Sequence, residues 1–319
     1  MSDTLFLVDA YAQIYRGFYA VRYLTNSLGE PSNAIFAMSK FLIKLHKEHP
    51  GSCGAFVFDV GKPSFRMELA PDYKANRPPM PEELRTQIPA LKELIHAFGW
   101  PEISREGYEA DDLLAALAVD LSDRQVRIIS SDKDIHQVIT DNIRMLVPDR
   151  KGGFEERGPA EVIEKFQVSA EQIVDYLALI GDTSDNIPGV SGVGPKTAAK
   201  LICDMHSIDN MLAHPEQIEN VKLRDKICAA KDILIKNQKL VKLKTDVDDK
   251  PWADKSLLER SNPDWEAIAA IAERYELKSI IKEINELSGN DSDDAGGTTD
   301  DDLFSAAPGK EQPDLFGGL

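Results

Sequence analysis

Three short runs rich in β-branched and aromatic residues each end at or close to aspartate. Leu5 to Val8 is followed by Asp9 and Ala55 to Phe58 by Asp59, while Val126 to Ile129 is followed by two serines and then Asp132 and Asp134. A weaker run spans Met145 to Val147. Between the runs, Ala34 to His46, Glu82 to Phe98 and Asp111 to Leu121 carry apolar residues at the three- and four-residue spacing of helices. Strands alternating with helices predict a mainly parallel sheet with helices on both faces. In such a sheet the carboxyl ends of the strands share one rim, where open α/β folds place their ligands. The aspartates are therefore expected to gather there.

From about residue 160 the β-like runs stop. Segments 159–166, 169–181, 195–204, 222–235 and 263–287 read as helices separated by Gly, Pro, Asn and Asp. The expected organisation is an α/β catalytic domain over 1–160, a small all-helical domain over 161–287 and a tail over 288–319. The tail, rich in Asp, Gly, Ser and Thr, has too little apolar surface to offset its ordering entropy and is expected to be disordered. No stretch is long and apolar enough to span a membrane, and the opening apolar run is too short for a signal peptide. The three cysteines, Cys53, Cys203 and Cys228, are scattered, so neither a disulfide framework nor a zinc ribbon is expected.

Further acids share the pattern. Glu109, Asp111 and Asp112 open a helix, and three acids in four residues exceed what capping requires. Asp182 and Asp185 lie three apart in Gly-Asp-Thr-Ser-Asp-Asn and would share one side of a helical turn. Each acid alone also reads as an N-cap, a turn residue or solvated surface. Together they would repel, and a divalent ion is an ordinary remedy. Oxygen-only ligation selects a hard ion such as Mg²⁺ or Mn²⁺. Two such ions can activate water and stabilise the leaving oxygen of a phosphodiester, so the expected chemistry is hydrolysis of a nucleic-acid backbone.

Taken as a whole, a formal charge of -17 opposes a nucleic-acid partner. The charge is uneven, however, because the tail from residue 289 alone contributes -7 and the nine acids of the expected metal site most of the remainder. Within the body, Asn186-Ile-Pro-Gly-Val-Ser-Gly-Val-Gly-Pro-Lys-Thr-Ala-Ala-Lys-Leu-Ile202 reads as a helix-hairpin-helix motif. Gly189, Gly192 and Gly194 would let backbone amides approach a phosphate, with Lys196 and Lys200 adding charge. Such contacts grip the backbone and ignore the bases. Lys62, Arg66, Lys74 and Arg77, with Tyr73 interleaved, make a locally basic segment suited to a single strand.

These blocks, Leu7-Val-Asp9, Phe58-Asp59, Phe65-Arg66, Tyr73-Lys-Ala-Asn-Arg-Pro-Pro-Met-Pro81, Gly107-Tyr-Glu-Ala-Asp-Asp112, Asp132-Lys-Asp134 and Gly181-Asp-Thr-Ser-Asp-Asn-Ile-Pro-Gly189, resemble the 5′ nuclease (flap endonuclease) family. The likeness is strongest to the bacterial 5′ to 3′ exonuclease domain of DNA polymerase I, here as a stand-alone chain, over roughly residues 5 to 285. It implies a PIN-like sheet followed by a helical domain carrying the helix-hairpin-helix motif. It implies two or more Mg²⁺ or Mn²⁺ ions on Asp9, Asp59, Glu109, Asp111, Asp112, Asp132, Asp134, Asp182 and Asp185. Residues near 62–90 would form a helical arch, with Arg66 and Lys74 near the scissile phosphate, Arg77 beside them and Tyr73 stacking on bases. The glycine hairpin would hold a duplex strand, in this family often with K⁺. The implied substrates are DNA with 5′ flaps, nicks or primer ends, and the implied home is the bacterial cytoplasm, at the nucleoid; a monomer is the default expectation. Ala10-Tyr11 and Ser131 stand where the family usually has small residues. A PIN-like ribonuclease and a catalytically silent DNA-binding or clamp-scaffolding protein remain alternatives.

The chain ends in Gln312-Pro-Asp-Leu-Phe316, which resembles the bacterial sliding-clamp-binding pentapeptide. Gln312, Leu315 and Phe316 on an acidic arm are expected to dock in an apolar pocket of the clamp and tether the nuclease there.

Overall fold

The computed structural model describes residues 4–61, 64–149 and 153–289. They sort into two compact units, each assembled from separated stretches. The first holds the described residues up to Phe58, Pro79–Ile103 and those from Pro251 on; the second holds those from Asp59 to Pro78 and from Ser104 to Lys250. As expected, mainly parallel strands are flanked by helices.

In the first unit, β1 (Thr4–Asp9), β2 (Cys53–Val57) and β3 (Glu102–Ile103) lie parallel in the order β3-β2-β1. Leu7 pairs with Ala55 and Asp9 with Val57. The strands read as unbroken apolar runs because they are covered on both faces; Leu5, Leu7, Val8, Ala55 and Phe56 are all fully buried. Gly54 is required there, since a Cβ would lie 2.0 Å from the Phe6 carbonyl oxygen and 2.8 Å from the Trp100 ring. The helix Asn33–Glu48 begins on a borrowed cap. Gln87 Oε1 accepts the N–H groups of Ala34 and Ile35 at 2.9 and 3.2 Å. That duty interrupts the expected helix from Glu82 to Phe98, which is split into Glu82–Arg85 and Ile88–Ala97, the second restarting with Pro89 in its first turn. The expected helix 263–287 is likewise two, Trp265–Arg274 and Lys278–Ser288, parted where Glu276 takes a left-handed φ of 57°.

In the second unit, β4 (Gln125–Ile129) runs parallel to β5 (Ile143–Pro148), and β6 (Phe154–Arg157) pairs antiparallel with β5. Around them lie the helices Ser64–Leu69, Ala110–Asp120, Pro159–Phe166 and Ile173–Ile180. Helices Pro195–Met205, Ile208–Ala213, Val221–Ala229 and Lys231–Val241 follow. The expected division between 160 and 161 falls within the helix Pro159–Phe166. The helix Ile173–Ile180 packs on the 3-10 turn Asp134–Val138, directly after the Asp132-Lys-Asp134 segment. Between residues 64 and 90 the described residues do not form one continuous helix. After Ser64–Leu69 the chain proceeds in turns to Arg77, and the helices beyond Pro79 belong to the first unit.

His136 is fully buried on that 3-10 turn. Its ring meets Phe166 edge-on at 4.8 Å, and Phe166 meets Tyr176 at 5.6 Å. Nδ1 lies 2.8 Å from the Lys133 carbonyl oxygen, to which it donates, while Nε2 is buried without a partner. Burial pushes the imidazole down to about 4. The unfolded chain takes up a proton below about 6.5 that the folded one refuses, so stability present above that pH is lost as it falls toward 4. The loss is about 3 kcal/mol. Urea unfolding of wild type and His136→Phe from neutral pH down to that acid limit should show the stability difference shifting by this amount toward the variant. Parallel profiles would contradict it.

Candidate active site

The second unit gathers the acids around the start of the helix Ala110–Asp120. Glu109 is the N-cap, and the Asp112 carboxylate reaches back to accept the Glu109 N–H at 3.2 Å. Arg66, from the helix Ser64–Leu69, grips Asp112 with a two-pronged fork, Nη1 to Oδ2 at 2.6 Å and Nη2 to Oδ1 at 2.8 Å. The same guanidinium donates through Nε to the Leu240 carbonyl at 2.8 Å and through Nη2 to that of Lys242 at 3.3 Å. It also lies 2.9 Å from Glu109 Oε2. The Lys244 N–H adds a further bond to Asp112 Oδ1 at 2.8 Å.

Asp112 is fully buried with both oxygens held by Arg66 and backbone amides, so it braces the framework at the helix start. Arg66 is 2% exposed with its donors turned inward, so it fixes the helix start.

The turns from Asp72 to Arg77 are stitched to the loop that joins β7 (Gly181–Asp182) to β8 (Ile187–Pro188). Asn76 Nδ2 donates to the Thr183 carbonyl at 2.5 Å and Asn186 Nδ2 to that of Asp72 at 2.9 Å. Lys74 and Asn186 adopt left-handed φ values of 56° and 59°, and the Lys74 N–H donates to the Asp185 carbonyl at 3.1 Å. Tyr73 is buried, with its hydroxyl 3.0 Å from both Glu109 Oε2 and Asp185 Oδ2. One phenolic proton thus sits between two carboxylates. Burial, then those two charges, drive the phenol's pKa far above its ordinary value. The expected base-stacking ring is therefore a buried strut. Lys74 Nζ pairs with Glu109 and lies 3.7 Å from Asp185 Oδ2, and Arg77 pairs with Asp185 Oδ1. Burial disfavours the Asp185 charge, but Lys74 and Arg77 overcome it and hold that carboxyl below its usual range.

Asp132 and Asp134 are less well compensated. Asp132 accepts the Asp134 N–H at 2.8 Å, and its own N–H is held by Ser130 Oγ at 3.1 Å. Withdrawal from water, with Asp185 and Asp182 nearby, raises Asp132 to about 6. Asp134 is raised well above normal by burial and then by Asp132, Asp185 and Asp182. Its Oδ1 is buried without a hydrogen-bond partner. Asp182 accepts from Ser184 N and Oγ at 2.9 and 2.6 Å, and Lys133 Nζ lies 3.5 Å from its other oxygen. Asp59 is exposed and accepts the Ala110 N–H at 2.8 Å; Asp111 is half-buried on the first turn of the same helix. Asp9 closes β1 in the first unit, where its carboxylate caps the helix Ala10–Ala20 by accepting the Ala12 N–H at 3.0 Å.

An orphaned buried oxygen among repelling carboxylates, with hard oxygen donors, fits a divalent ion. Among the described residues no three His, Cys, Asp or Glu side chains form a ready-made metal cage. Mg²⁺ does not need one, because it keeps several waters and takes one or two carboxylates.

The glycine hairpin precedes the helix Pro195–Met205. A Cβ on Gly189 would stand 2.2 Å from the Ile180 carbonyl oxygen, and Gly192 has φ +79°. At Gly194 a Cβ would meet open space, so packing does not demand that glycine. Lys196 and Lys200 are exposed on the helix that follows. Buried Asn237 clasps the base of the hairpin, donating to the carbonyls of Ala178 and Pro188 at 3.0 and 2.8 Å. Sequence reasoning missed Asn237, Lys133 and the Lys244 amide. Only Lys133, inside Asp132-Lys-Asp134, had a visible signal. Gln312, Leu315 and Phe316 lie outside the described residues.

A carboxylate-rich α/β fold with an adjoining helical hairpin defines a class of phosphodiester-cutting proteins, and comparison with known proteins narrows it. The model of the 5'-3' exonuclease N-terminal resolvase-like domain matches residues 4–167, and that of the 5'-3' exonuclease C-terminal SAM fold matches 168–266. A 5'-3' exonuclease of Aquifex aeolicus is 36% identical over 286 residues, covering 89% of this chain and 96% of the relative. A thermostable DNA polymerase I of Thermus thermophilus is 39% identical over 285 residues, 89% of this chain but 33% of the polymerase. The chain thus spans about a third of the length of its polymerase relatives. A bacteriophage T5 flap endonuclease, solved as a pseudo-enzyme-product complex with DNA and metal ions, shares the fold with TM-score 0.63 and 25% identity. That match covers 90% of this chain and 99% of the other. The chain belongs to the 5'-3' exonuclease family.

Proposed function

We propose that this chain is a Mg²⁺-dependent, structure-selective 5′ to 3′ exonuclease and 5′-flap endonuclease acting on DNA in primer removal and repair. The observation that carries this reading is the pair Asp132 and Asp134, crowded by Asp182 and Asp185, with one buried oxygen left without a partner. Asp59, Asp111, Asp132, Asp134 and Asp182 would hold the ions. When bound, Mg²⁺ or Mn²⁺ would supply a more acidic water and charge stabilisation for the leaving oxygen. The chain's own part is placement. Arg66 and Asp112 fix the helix start that presents Glu109 and Asp111, and Tyr73 holds Glu109 and Asp185 in register. Lys74 and Arg77, now paired with those carboxylates, are the cations that would meet a 5′-strand phosphate. The hairpin of Gly189, Gly192 and Gly194, with Lys196 and Lys200, would grip the backbone of the duplex strand, with K⁺ as an aid. The family relatives and the DNA-bound T5 structure support this reading.

The test is cleavage of a 5′-labelled flap substrate with Mg²⁺, repeated in EDTA and with Asp111→Asn and Asp132→Asn. Release of a 5′-phosphorylated product by wild type alone, and only with metal, is expected. Cutting confined to RNA would favour a PIN-like ribonuclease, and tight binding without cutting a silent scaffold; either would overturn the reading. The same reading makes the protein a monomer of the bacterial cytoplasm. It tethers the chain to the sliding clamp through Gln312, Leu315 and Phe316, so removing residues 312–319 should abolish clamp binding and spare flap cleavage. Unchanged clamp affinity would refute the tether.

A further inference from the structure

The glycine hairpin contains one tight turn, closed by the Val193 N–H donating to the Val190 carbonyl at 2.9 Å. Gly192, third in this turn, has φ +79°, whereas Ser191, second, is not in the left-handed region. This is the type II arrangement, in which the central peptide is flipped, its carbonyl facing one side of the turn and its N–H the other. The carbonyl in question is that of Ser191, and the N–H that of Gly192.

That carbonyl is held. Lys226, on the helix Val221–Ala229, donates from Nζ to Ser191 O at 2.9 Å. Any side chain at position 192 would collide with it, since a Cβ there would lie 2.6 Å from the Lys226 amine. Gly192 is therefore required by its backbone angle, and a Cβ there would also push the Lys226 amine off the turn. An exposed lysine normally leaves its long side chain free in water, because fixing it costs rotamer entropy. Lys226 is exposed yet bonded to the turn. An ammonium has three donors, and the Ser191 carbonyl uses one.

We propose that Lys226 is a DNA-binding residue of the hairpin: it pins the Ser191 carbonyl so that the Gly192 N–H faces outward, and it gives the bound backbone phosphate a cation. The ligand is duplex DNA, recognised through a phosphate and without regard to sequence. The inference rests on the hairpin gripping DNA, and extends that grip to a helix outside the glycine motif.

The test uses the full chain in EDTA, where no cutting occurs, and a mixed-sequence duplex whose affinity is followed by fluorescence anisotropy across a KCl series. Lys226→Ala should weaken binding about 5- to 10-fold near 0.1 M salt and reduce the slope of log affinity against log salt by about one. Lys226→Arg should restore the slope, and melting temperatures should match wild type. Weaker binding with an unchanged slope would overturn the phosphate contact. Lys196→Ala, measured alongside, separates two kinds of failure. If it loses slope while Lys226→Ala does not, the inference falls and the hairpin reading stands. If neither variant changes binding, both fall.

Discussion

Asp134→Asn is expected to slow metal-dependent phosphodiester cleavage by at least about a hundredfold and, in EDTA, to make the protein more stable by about 1 to 3 kcal/mol. The two effects have one cause. Burial and the neighbouring Asp132, Asp185 and Asp182 raise the Asp134 carboxyl, and its Oδ1 is left without a partner. A carboxyl whose pKa is raised by folding stabilises the fold only while protonated, and that contribution is lost as pH rises through the folded pKa. At neutral pH without metal the charge is therefore a liability. The amide keeps the shape and removes the repulsion. Thermal melts with and without Mg²⁺, beside single-turnover cleavage, read both effects. A variant that cuts normally, or melts lower than wild type in EDTA, would show that Asp134 has another role.

Arg66→Ala should cost about 3 to 5 kcal/mol of unfolding free energy, the usual penalty for leaving a buried charge without its partner. Asp112 would be stranded, and the carbonyls of Leu240 and Lys242 would lose their donor. The double variant Arg66→Met/Asp112→Leu should recover part of that loss, because the stranded carboxylate goes as well. Urea unfolding measures the cycle. A single variant that unfolds like wild type but binds DNA more weakly would return Arg66 to the role first expected from sequence, beside the scissile phosphate.

The difference between those roles shows where sequence stops being informative. Strand-end acids were legible because a parallel sheet fixes where strands end, and apolar runs such as Leu5 to Val8 announce the strands. Which acids stay open to an ion was not legible. Asp111 and Asp112 are adjacent letters, yet helical geometry turns one outward by about 100° from the other, so Asp112 meets Arg66 in the interior. Tyr73 read as a stacking ring because basic neighbours suggest nucleic acid, whereas its position depends on Asp185, 112 residues away in the chain. Helix ends were misplaced for a similar reason. Gln87 caps the helix Asn33–Glu48 from 53 residues away, and no local pattern announces such a loan.

The assignment of hard-metal ligands to Asp132 and Asp134 is tested most directly by titrating Mn²⁺ into the protein near neutral pH and counting bound ions from the electron paramagnetic resonance signal of the free ion. Wild type should remove Mn²⁺ from solution in a saturable way, and the folded double variant Asp132→Asn/Asp134→Asn should lose that uptake. Equal uptake by the two proteins would contradict the assignment.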